Sequence, residues 1–455
     1  MPPLDLTHIR QHHTVAELIA LGKARRQTTS FDQLGTFTPV ERNAGAYLKH
    51  VRAMLVPELL PLRRERMSAS AFAFFRGSVE LMDYDLDYQK STEIPAVVCG
   101  DAHLGNFGFY ASPERRLVFD LNDFDEAGVH PWEWDLRRLL VSIILAARNS
   151  NFKPKKVDKL VRTASASYRE AIKRMFDQTT LDRFYRDNEV QAVLNFGGQP
   201  EDTANFIADL VKKAQKRNSE QVVRKFTWTN SHGERQFKDN APRSVHIDKK
   251  TYRGLKHGIQ EYLLNVRTDV ALLLSQYEVT DIIRHSVGVG SFGSLCYLVL
   301  LTSTDGSHMV LQIKEALPTR KVGSQSQQAL TAALELSEGQ RIVSSQRILQ
   351  ATSDVFLGYF QMANKSFYVR QFRDMKESID IATLDWGQFS AYANTCAMIL
   401  AQAHAQSPTA AMIRGYIGST TKFDDAMANW SEAYVEQVES DYQDFLDKPL
   451  SLIHI

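Results

Sequence analysis

Two segments that carry phosphate-handling residues lie far apart in this chain of 455 residues, so a fold must bring them together before they can act on one ligand. The first, residues 99–125, contains CGDAHLGN followed by VFDLNDFD. The second, residues 287–314, contains VGVGSFG and ends in VLQIK. Carboxylate and amide oxygens of the first segment suit a magnesium ion. Glycine N–H groups and the lysine of the second suit phosphate oxygens.

The order of these two segments is unusual. In protein kinases the glycine-rich loop and its lysine precede the catalytic loop and the metal-binding aspartate. Here the acidic segment comes first. If both interpretations are correct, the chain contains the parts of a phosphoryl-transfer fold in a permuted order.

Composition limits the classes of partner. The chain is long enough for two lobes, and its 44% hydrophobic and 24% charged residues are typical of a globular protein. The net charge of +1 gives no global positive field. We therefore expect neither nucleic acid nor a membrane as partner, whereas a nucleotide needs only local cations around its phosphates.

Cysteine usage and the N-terminal sequence indicate the compartment. The three cysteines, Cys99, Cys296 and Cys396, are widely spaced and form neither a disulfide framework nor a zinc motif. The first residues, MPPLDLTHIRQHH, lack the apolar core of a secretion signal. The sequence therefore predicts a cytoplasmic protein, and it leaves the oligomeric state open.

Hydrophobic periodicity predicts an α+β protein with two kinase-like lobes, a small antiparallel β lobe and a large helical lobe. Residues 1–40 are polar and turn-rich, which predicts an irregular N-terminal arm. Residues 41–280 form the predicted helical lobe, which includes a catalytic-loop hairpin at 99–125. Residues 281–375 form the predicted β-rich nucleotide-binding lobe, and helices in 376–455 return to the helical lobe.

The acidic segment contains the candidate catalytic and metal-binding residues. Asp101 follows a short predicted strand, where its carboxylate can project into a cleft and act on an acceptor. Asn106 and Asp123 lie at the two ends of a predicted hairpin, so their oxygens can share one Mg²⁺. His103 can orient the loop or contact the metal region.

Other interpretations of the acidic segment remain open. Asp120 and Asp125 are rival metal ligands, although Asp123 in the DFD sequence is favoured. Asp and Asn are also common turn residues, so a structural cluster is the plain alternative.

The glycine-rich segment matches the pattern G-x-G-x-x-G through Gly288, Gly290, Ser291, Phe292 and Gly293, and we expect it to cover nucleotide phosphates. A dinucleotide fingerprint requires a helix directly after the glycines. The sequence that follows is strand-like, which favours a loop between two strands. A glycine-rich hairpin without a ligand is the alternative.

Lys314 ends an apolar strand and is predicted to hold the phosphates and assist catalysis; a lysine at a sheet edge is the alternative. Its acidic partner is left open among Glu335, Glu338 and Glu315. Arg370, in the sequence YVRQ, is predicted to line the nucleotide site where the lobes connect, or to lie on an ordinary edge strand.

Arg76 stands out because it interrupts the aromatic sequence AFAFFRGS. A charged residue in such a run needs a partner. Arg76 can bind a phosphate or pair with an acid such as Asp101, and a structural ion pair is favoured.

These motifs together resemble a bacterial family, the domain-of-unknown-function 2252 family. That family is grouped with the protein-kinase-like superfamily, and the resemblance implies no established substrate. The segments that carry the resemblance are RMSASAFAFFRGS (66–78), CGDAHLGNFG (99–108), VFDLNDFDEAGVHPWEWDLRRL (118–139), VGVGSFGSLCYLVLL (287–301), LQIKEA (311–316), GQRIVSSQRILQATSD (339–354), FYVRQFRDMKES (367–378) and LAQAHAQS (400–407).

A closer functional resemblance is to aminoglycoside and homoserine-type kinases. Their HGDxHxxN loop is similar to residues 99–106, with Cys99 in place of the usual histidine, and their IDFxDAG segment is similar to residues 122–128. Their LAxLHA helix, which normally precedes the loop, resembles residues 400–405. The resemblance implies Asp101 as base, Asn106 and Asp123 as metal ligands, and a circularly permuted chain.

The sequence therefore predicts a phosphotransferase that depends on ATP and Mg²⁺ and acts on a small-molecule hydroxyl or amine, or on a protein acceptor. One alternative is transfer of AMP from ATP on the same fold. Another is a nucleotide-binding regulator without catalysis.

Overall fold

The computed structural model describes residues 13–42, 55–186, 188, 219–286, 294–318, 337–372 and 377–447. Helices and strands are mixed, which confirms the predicted α+β class. Within these ranges, no helix combines the length and the apolar character that a membrane crossing requires.

We number the described helices and strands in chain order. The helices are α1 (Val15–Ala24), α2 (Phe31–Leu34), α3 (Leu60–Met67), α4 (Ala71–Gly77), α5 (Val79–Asp87), α6 (Glu133–Asn149), α7 (Pro154–Met175), α8 (Thr180–Phe184), α9 (Ser219–Phe226), α10 (Lys249–Leu263), α11 (Thr268–Leu274), α12 (Glu338–Leu349), α13 (Trp386–His404), α14 (Ala410–Ile417) and α15 (Lys422–Asp447). The strands are β1 (Pro95–Val98), β2 (Phe107–Ala111), β3 (Leu117–Leu121), β4 (Gly128–Pro131), β5 (Thr227–Thr229), β6 (Arg235–Phe237), β7 (Ser244–His246), β8 (Tyr277–His285), β9 (Cys296–Ser303), β10 (His308–Ala316), β11 (Gly358–Met362), β12 (Lys365–Gln371) and β13 (Glu377–Ser378).

The largest sheet is antiparallel, with the strand order β11-β12-β10-β9-β8-β7. Side chains alternate between the two faces of a strand. One face is apolar and packs on α10 and α11, with Val299, Ile313 and Val369 in that core. Strand β7 belongs to this sheet, so the sheet extends to the N-terminal side of residue 281, the predicted start of the β-rich region.

The opposite face of the sheet is divided between apolar and polar residues. Val310 lies at its apolar end, under Val222 and Val223 of α9. Lys314 lies at its polar end, opposite Tyr368 of β12 and Cys296 of β9 in the register. Residues two apart on β10 share this face, so the side chain of Lys314 points away from the apolar core at α10 and α11.

A second and larger core surrounds α6, on which α7 and α15 pack. Every residue from Glu133 to Ala147 is buried, as expected for a helix at the centre of a bundle. The buried charged residues of this helix therefore need partners inside the protein. Two of them, Asp135 and Arg138, contact the loop after β1.

The predicted catalytic-loop hairpin is present. Strands β2 and β3 pair antiparallel, with Phe109 opposite Phe119. Strand β13 adds to β2, with Glu377 opposite Phe109. Because β13 follows β12 along the chain, the polypeptide runs from the large sheet directly to the hairpin.

The N-terminal segment differs from its prediction. Among its described residues, α1 begins at a capping box between Thr14 and Glu17. A Cβ at Gly22 would lie 1.9 Å from the carbonyl oxygen of Met412, so α1 crosses α14 at backbone contact. The prediction of an irregular arm is therefore wrong where α1 and α2 form, whereas residues 36–40 are irregular as predicted; the capping box was the missed sequence signal.

Candidate functional site

Asp101 is placed by a turn that only glycine fits well. Gly100 has a φ of +78°, a conformation that L side chains rarely adopt. A Cβ there would lie 2.0 Å from the carbonyl oxygen of Glu126. The turn after β1 is thus pressed against the segment that contains Asp123 and Asp125.

The buried carboxylate of Asp135 holds the same turn from behind. It accepts hydrogen bonds from the backbone N–H groups of Cys99, at 2.8 Å, and Gly100, at 3.0 Å. His404 Nε2 of α13 lies 3.2 Å from Asp135 Oδ2. Asp135 is therefore a positioning residue, a role that the sequence did not predict.

The partner of Asp101 is Arg138 rather than Arg76. Arg138 Nε donates to Asp101 Oδ1 at 2.7 Å, and its Nη2 donates to the carbonyl oxygen of Phe75 at 2.7 Å. Its guanidinium also stacks 3.7 Å from the centre of the Phe75 ring. Asp101 stays partly open, with 21% of its side chain exposed. The structural ion pair favoured for Arg76 is absent among the described residues.

His103 lies beside Asp101, as its place in the loop predicted. Its Nε2 is 3.6 Å from Asp101 Oδ2, and its Nδ1 is buried without a hydrogen bond from the described residues. Burial and the charges of Arg76 and Arg138 lower the pKa of His103 well below its usual value. The imidazole is therefore neutral at physiological pH.

Asn106 links the loop to the second acidic segment. Its Nδ2 donates to the carbonyl oxygens of Asp101 and Asp123, both at 3.0 Å. The N–H of Asn122 returns a hydrogen bond to the carbonyl oxygen of Asn106 at 2.9 Å. The hairpin thus brings Asn106 and Asp123 together, as the sequence predicted.

The side-chain oxygens of Asn106 and Asp123 have the chemistry of a magnesium site. Asp123 Oδ1 is buried without a hydrogen-bond partner in the described part of the chain, and Asn106 Oδ1 accepts no hydrogen bond there. No cluster of three or more His, Cys, Asp or Glu within those ranges could hold a metal. Mg²⁺ commonly takes one or two protein carboxylates together with phosphate oxygens. The two oxygens therefore fit an ion that also binds a nucleotide.

The rival ligand Asp120 has a structural role. It is fully buried and accepts hydrogen bonds from the Leu121 N–H at 2.8 Å, from Asn188 Nδ2 at 2.8 Å and from the Ala351 N–H at 2.9 Å. Burial raises the pKa of Asp120. Both of its oxygens are engaged, so Asp123 has the better geometry for a ligand.

The other rival, Asp125, is the acid that pairs with Lys314. Lys314 Nζ donates to Asp125 Oδ2, and the Tyr368 hydroxyl donates to Asp125 Oδ1 at 3.0 Å. Burial raises the pKa of Asp125, but the charge and hydrogen bond of Lys314, together with Arg370 and Tyr368, outweigh burial and lower the pKa of that carboxyl. Burial lowers the pKa of Lys314, whereas the carboxylate of Asp125 raises it.

The three glutamates weighed as partners of Lys314 do not pair with it in the described structure. Glu338 binds Arg341 Nε at 2.7 Å, and Glu315 binds Lys365 Nζ at 2.6 Å on the other face of the sheet. Glu335 lies outside the described residues. The true partner lies 189 positions before Lys314 in the sequence, which is why local sequence reasoning missed it.

Arg370 shares the face of the sheet with Lys314. It donates from Nε to Gln312 Oε1 at 2.8 Å. Burial would lower the pKa of Arg370, but Tyr368, Asp123 and Asp125 together raise it. Strand β12 lies between β10 and β11, so the edge-strand alternative for Arg370 is wrong. Strand β10 is also interior, which excludes an edge position for Lys314.

The predicted phosphate-covering loop lies outside the described residues. Its members are Gly288, Gly290, Ser291, Phe292 and Gly293. Its flanks are described. The preceding element is β8 and the following one is β9, which confirms that a strand follows the glycines.

Arg341 of α12 was missed by the sequence reasoning. Its side chain is fully buried and donates to the carbonyl oxygens of Ala127, of Asp125 at 2.9 Å and of Leu317 at 3.1 Å. The guanidinium therefore joins the acidic segment to the end of β10. A guanidinium has five N–H donors in a fixed geometry, so one arginine can bind several carbonyls at once.

Comparisons with known proteins follow from the same sequence. No curated protein and no solved structure matches the chain. The family model described as "Uncharacterized protein conserved in bacteria (DUF2252)" matches residues 52–448. The resemblance noted from the sequence motifs is thereby confirmed, and the chain belongs to the DUF2252 family.

Proposed function

We propose that the protein is a phosphotransferase that uses ATP and Mg²⁺ and phosphorylates a small-molecule hydroxyl or amine. One observation carries the proposal. Lys314, from the large sheet, pairs with Asp125, and Asn106 ties the neighbouring Asp123 to Asp101. These contacts support a site in which a cation for phosphates, two oxygens for a metal and a partly open carboxylate would face one ligand, which are the parts that phosphoryl transfer requires.

Asp101 is the residue proposed to act on the acceptor. Arg138 occupies its Oδ1, which leaves Oδ2 to accept a hydrogen bond from the acceptor hydroxyl. In the transfer, the acceptor oxygen bonds to the γ-phosphorus, the bond from that phosphorus to the bridging β–γ oxygen breaks, and ADP leaves. The acceptor proton passes to Asp101.

The phosphates of ATP would lie between the sheet and the acidic segment. Lys314 and Arg370 supply positive charge from the sheet, and residues 288–293 are proposed to cover the phosphates. Asn106 and Asp123 would hold Mg²⁺, which when bound neutralises charge on the β- and γ-phosphates. His103, neutral and in contact range of Asp101, orients that carboxylate.

We further propose that the fold is a kinase-like, two-lobed fold with a permuted chain. The helix that resembles the LAxLHA element is α13, and its His404 contacts Asp135, the acid that holds the catalytic turn. A helix that normally precedes this turn in sequence thus lies beside it in space. Permutation of a chain between such neighbours preserves their packing.

Radiolabelled ATP tests the proposed reaction. The whole protein is incubated with Mg²⁺, a bacterial small-molecule extract and ATP labelled at either the γ or the α position. We expect γ label, and not α label, to move to a small molecule. Asp101→Asn should slow this transfer about 10³-fold, because a general base is removed, and should leave the affinity for the ATP analogue AMP-PNP within about twofold.

The matched control is Asp32→Asn, which changes an exposed carboxylate on α2 and should transfer label like the unmodified protein. Transfer of α label would instead indicate a nucleotidyl transferase. Saturable AMP-PNP binding without transfer of either label would indicate a regulator. Unchanged γ-label transfer by Asp101→Asn would contradict the assignment of the base.

A further inference from the structure

Arg76 lies at the end of α4, close to the loop that contains Asp101. A Cβ built on Gly105 would be 3.1 Å from Arg76 Cζ and 3.2 Å from His103 Cε1, so the space over Gly105 is bordered by both side chains. The guanidinium also lies 5.8 Å from the centre of the Phe72 ring. Protein atoms surround the arginine, yet its side chain keeps access to solvent.

The guanidinium of Arg76 has no hydrogen-bond or ion-pair partner in the described part of the chain. Asp101, the carboxylate that acts most strongly on Arg76, is already bound by Arg138 at 2.7 Å. The donors of the Arg76 guanidinium are therefore open to a ligand. An arginine with five fixed donors beside an open cleft is suited to bind a planar or tetrahedral oxyanion.

The contact over Gly105 places Arg76 beside the loop that contains Asp101 and His103. The carboxylates that act most strongly on Lys314 and Arg370 are those of Asp125 and Asp123. Those that act most strongly on Arg76 are Asp101 and Asp123. Asp123 is common to both groups, whereas Asp101 belongs to that of Arg76, so we assign Arg76 to the Asp101 end of the site, where the acceptor is proposed to bind.

We propose that Arg76 binds an oxyanion of the acceptor, a carboxylate or a phosphate, so that the substrate is an anionic small molecule with a free hydroxyl or amine. This inference rests on the proposed function, because it assigns the Asp101 end of the site to the acceptor. His103 Nδ1, buried without a partner among the described residues and next to the same space, is the second polar atom available there.

Oxyanion binding tests this proposal without knowledge of the substrate. The protein is saturated with Mg²⁺ and AMP-PNP, so that the γ-phosphate position is filled, and is titrated with inorganic phosphate or with glycerate in a calorimeter. We expect saturable binding of at least one anion, and glycerol as the neutral analogue of glycerate should not bind. Arg76→Gln should weaken the anion affinity roughly tenfold to a hundredfold, because a charged donor pair is lost.

Arg76→Lys keeps the charge but not the paired donors, so its anion affinity should be intermediate. Arg253→Gln is the matched control, because it removes an exposed arginine from α10, which packs on the other face of the sheet; its anion affinity should be unchanged. Equal anion affinity in Arg76→Gln and the unmodified protein would overturn the proposal, as would the absence of anion binding.

The same titrations separate this inference from the proposed function. If AMP-PNP does not bind, the proposed function fails, and the anion titrations are repeated on the nucleotide-free protein. An anion site that then depends on Arg76 supports oxyanion binding by this residue alone. If AMP-PNP binds and neither anion does, only the inference about Arg76 fails.

Discussion

Replacing Lys314 by methionine should both destabilise the protein and weaken its affinity for a nucleotide. Methionine is similar in length but leaves Asp125 without the cation that balances its charge. Breaking one side of a buried ion pair typically costs about 3–5 kcal/mol. Loss of a phosphate-binding cation should weaken the affinity for Mg–AMP-PNP by roughly tenfold to a hundredfold.

A double variant separates the two roles of Lys314. In Lys314→Met combined with Asp125→Asn, no unpaired charge remains, so most of the lost unfolding free energy should return. Nucleotide affinity should stay low, because the cation is still missing. Urea unfolding gives the stability, and calorimetric titration gives the affinity. Recovery of nucleotide binding in the double variant would show that Lys314 only neutralises Asp125.

The pH dependence of stability provides a check on the same pair. The pKa of Asp125 is lower in the folded protein than in the unfolded chain, because Lys314, with Arg370 and Tyr368, outweighs the effect of burial. The contribution of the pair is therefore complete above the unfolded value of about 4, and it is lost as the pH falls through the lowered folded pKa. The stability difference between the unmodified protein and the double variant should thus shrink in acid.

Replacing Arg341 by methionine should produce the other large loss of stability. The change leaves the buried carbonyl of Ala127 and the partly buried carbonyls of Asp125 and Leu317 without their shared donor. Each unsatisfied buried polar group costs about 1–3 kcal/mol. We expect the free energy of unfolding to fall by roughly 4 kcal/mol or more, which is an exceptional effect for one substitution.

The acidic segment should also lose its position in Arg341→Met, so the affinity for Mg–AMP-PNP should fall with the stability. Arg347→Met is the control within the same helix. Arg347 is exposed and donates one hydrogen bond, to the carbonyl oxygen of Leu357 at 2.7 Å. Its replacement should cost about 1 kcal/mol. Similar unfolding midpoints in urea for the two variants would contradict a clamping role for Arg341.

The strands and the hairpin that carry the proposed site could be predicted from the sequence, because each is encoded by residues close together in the chain. Alternating strands and a tight hairpin are encoded within a few residues, and so is the return of Asp123 to Asn106. The placement of Asp101 after β1 follows from the same kind of signal, a short apolar run that ends at a glycine.

The partners of the charged residues could not be predicted in the same way. Arg138 is one of several arginines in a helix, and nothing local distinguishes it as the residue that reaches Asp101. Asp125 meets Lys314, and Arg341 meets the acidic segment, only after distant parts of the chain have packed together. These contacts depend on tertiary structure, which periodicity and turn chemistry do not encode.

The most direct test of a shared ATP and Mg²⁺ site in this cleft is the affinity for AMP-PNP, measured by calorimetry with and without Mg²⁺. We expect Mg²⁺ to strengthen binding to the unmodified protein by about tenfold or more, since the metal links Asp123 to the phosphates. Asp123→Asn should remove most of this difference. Binding that is unaffected by Mg²⁺, or no saturable binding at all, would contradict the site.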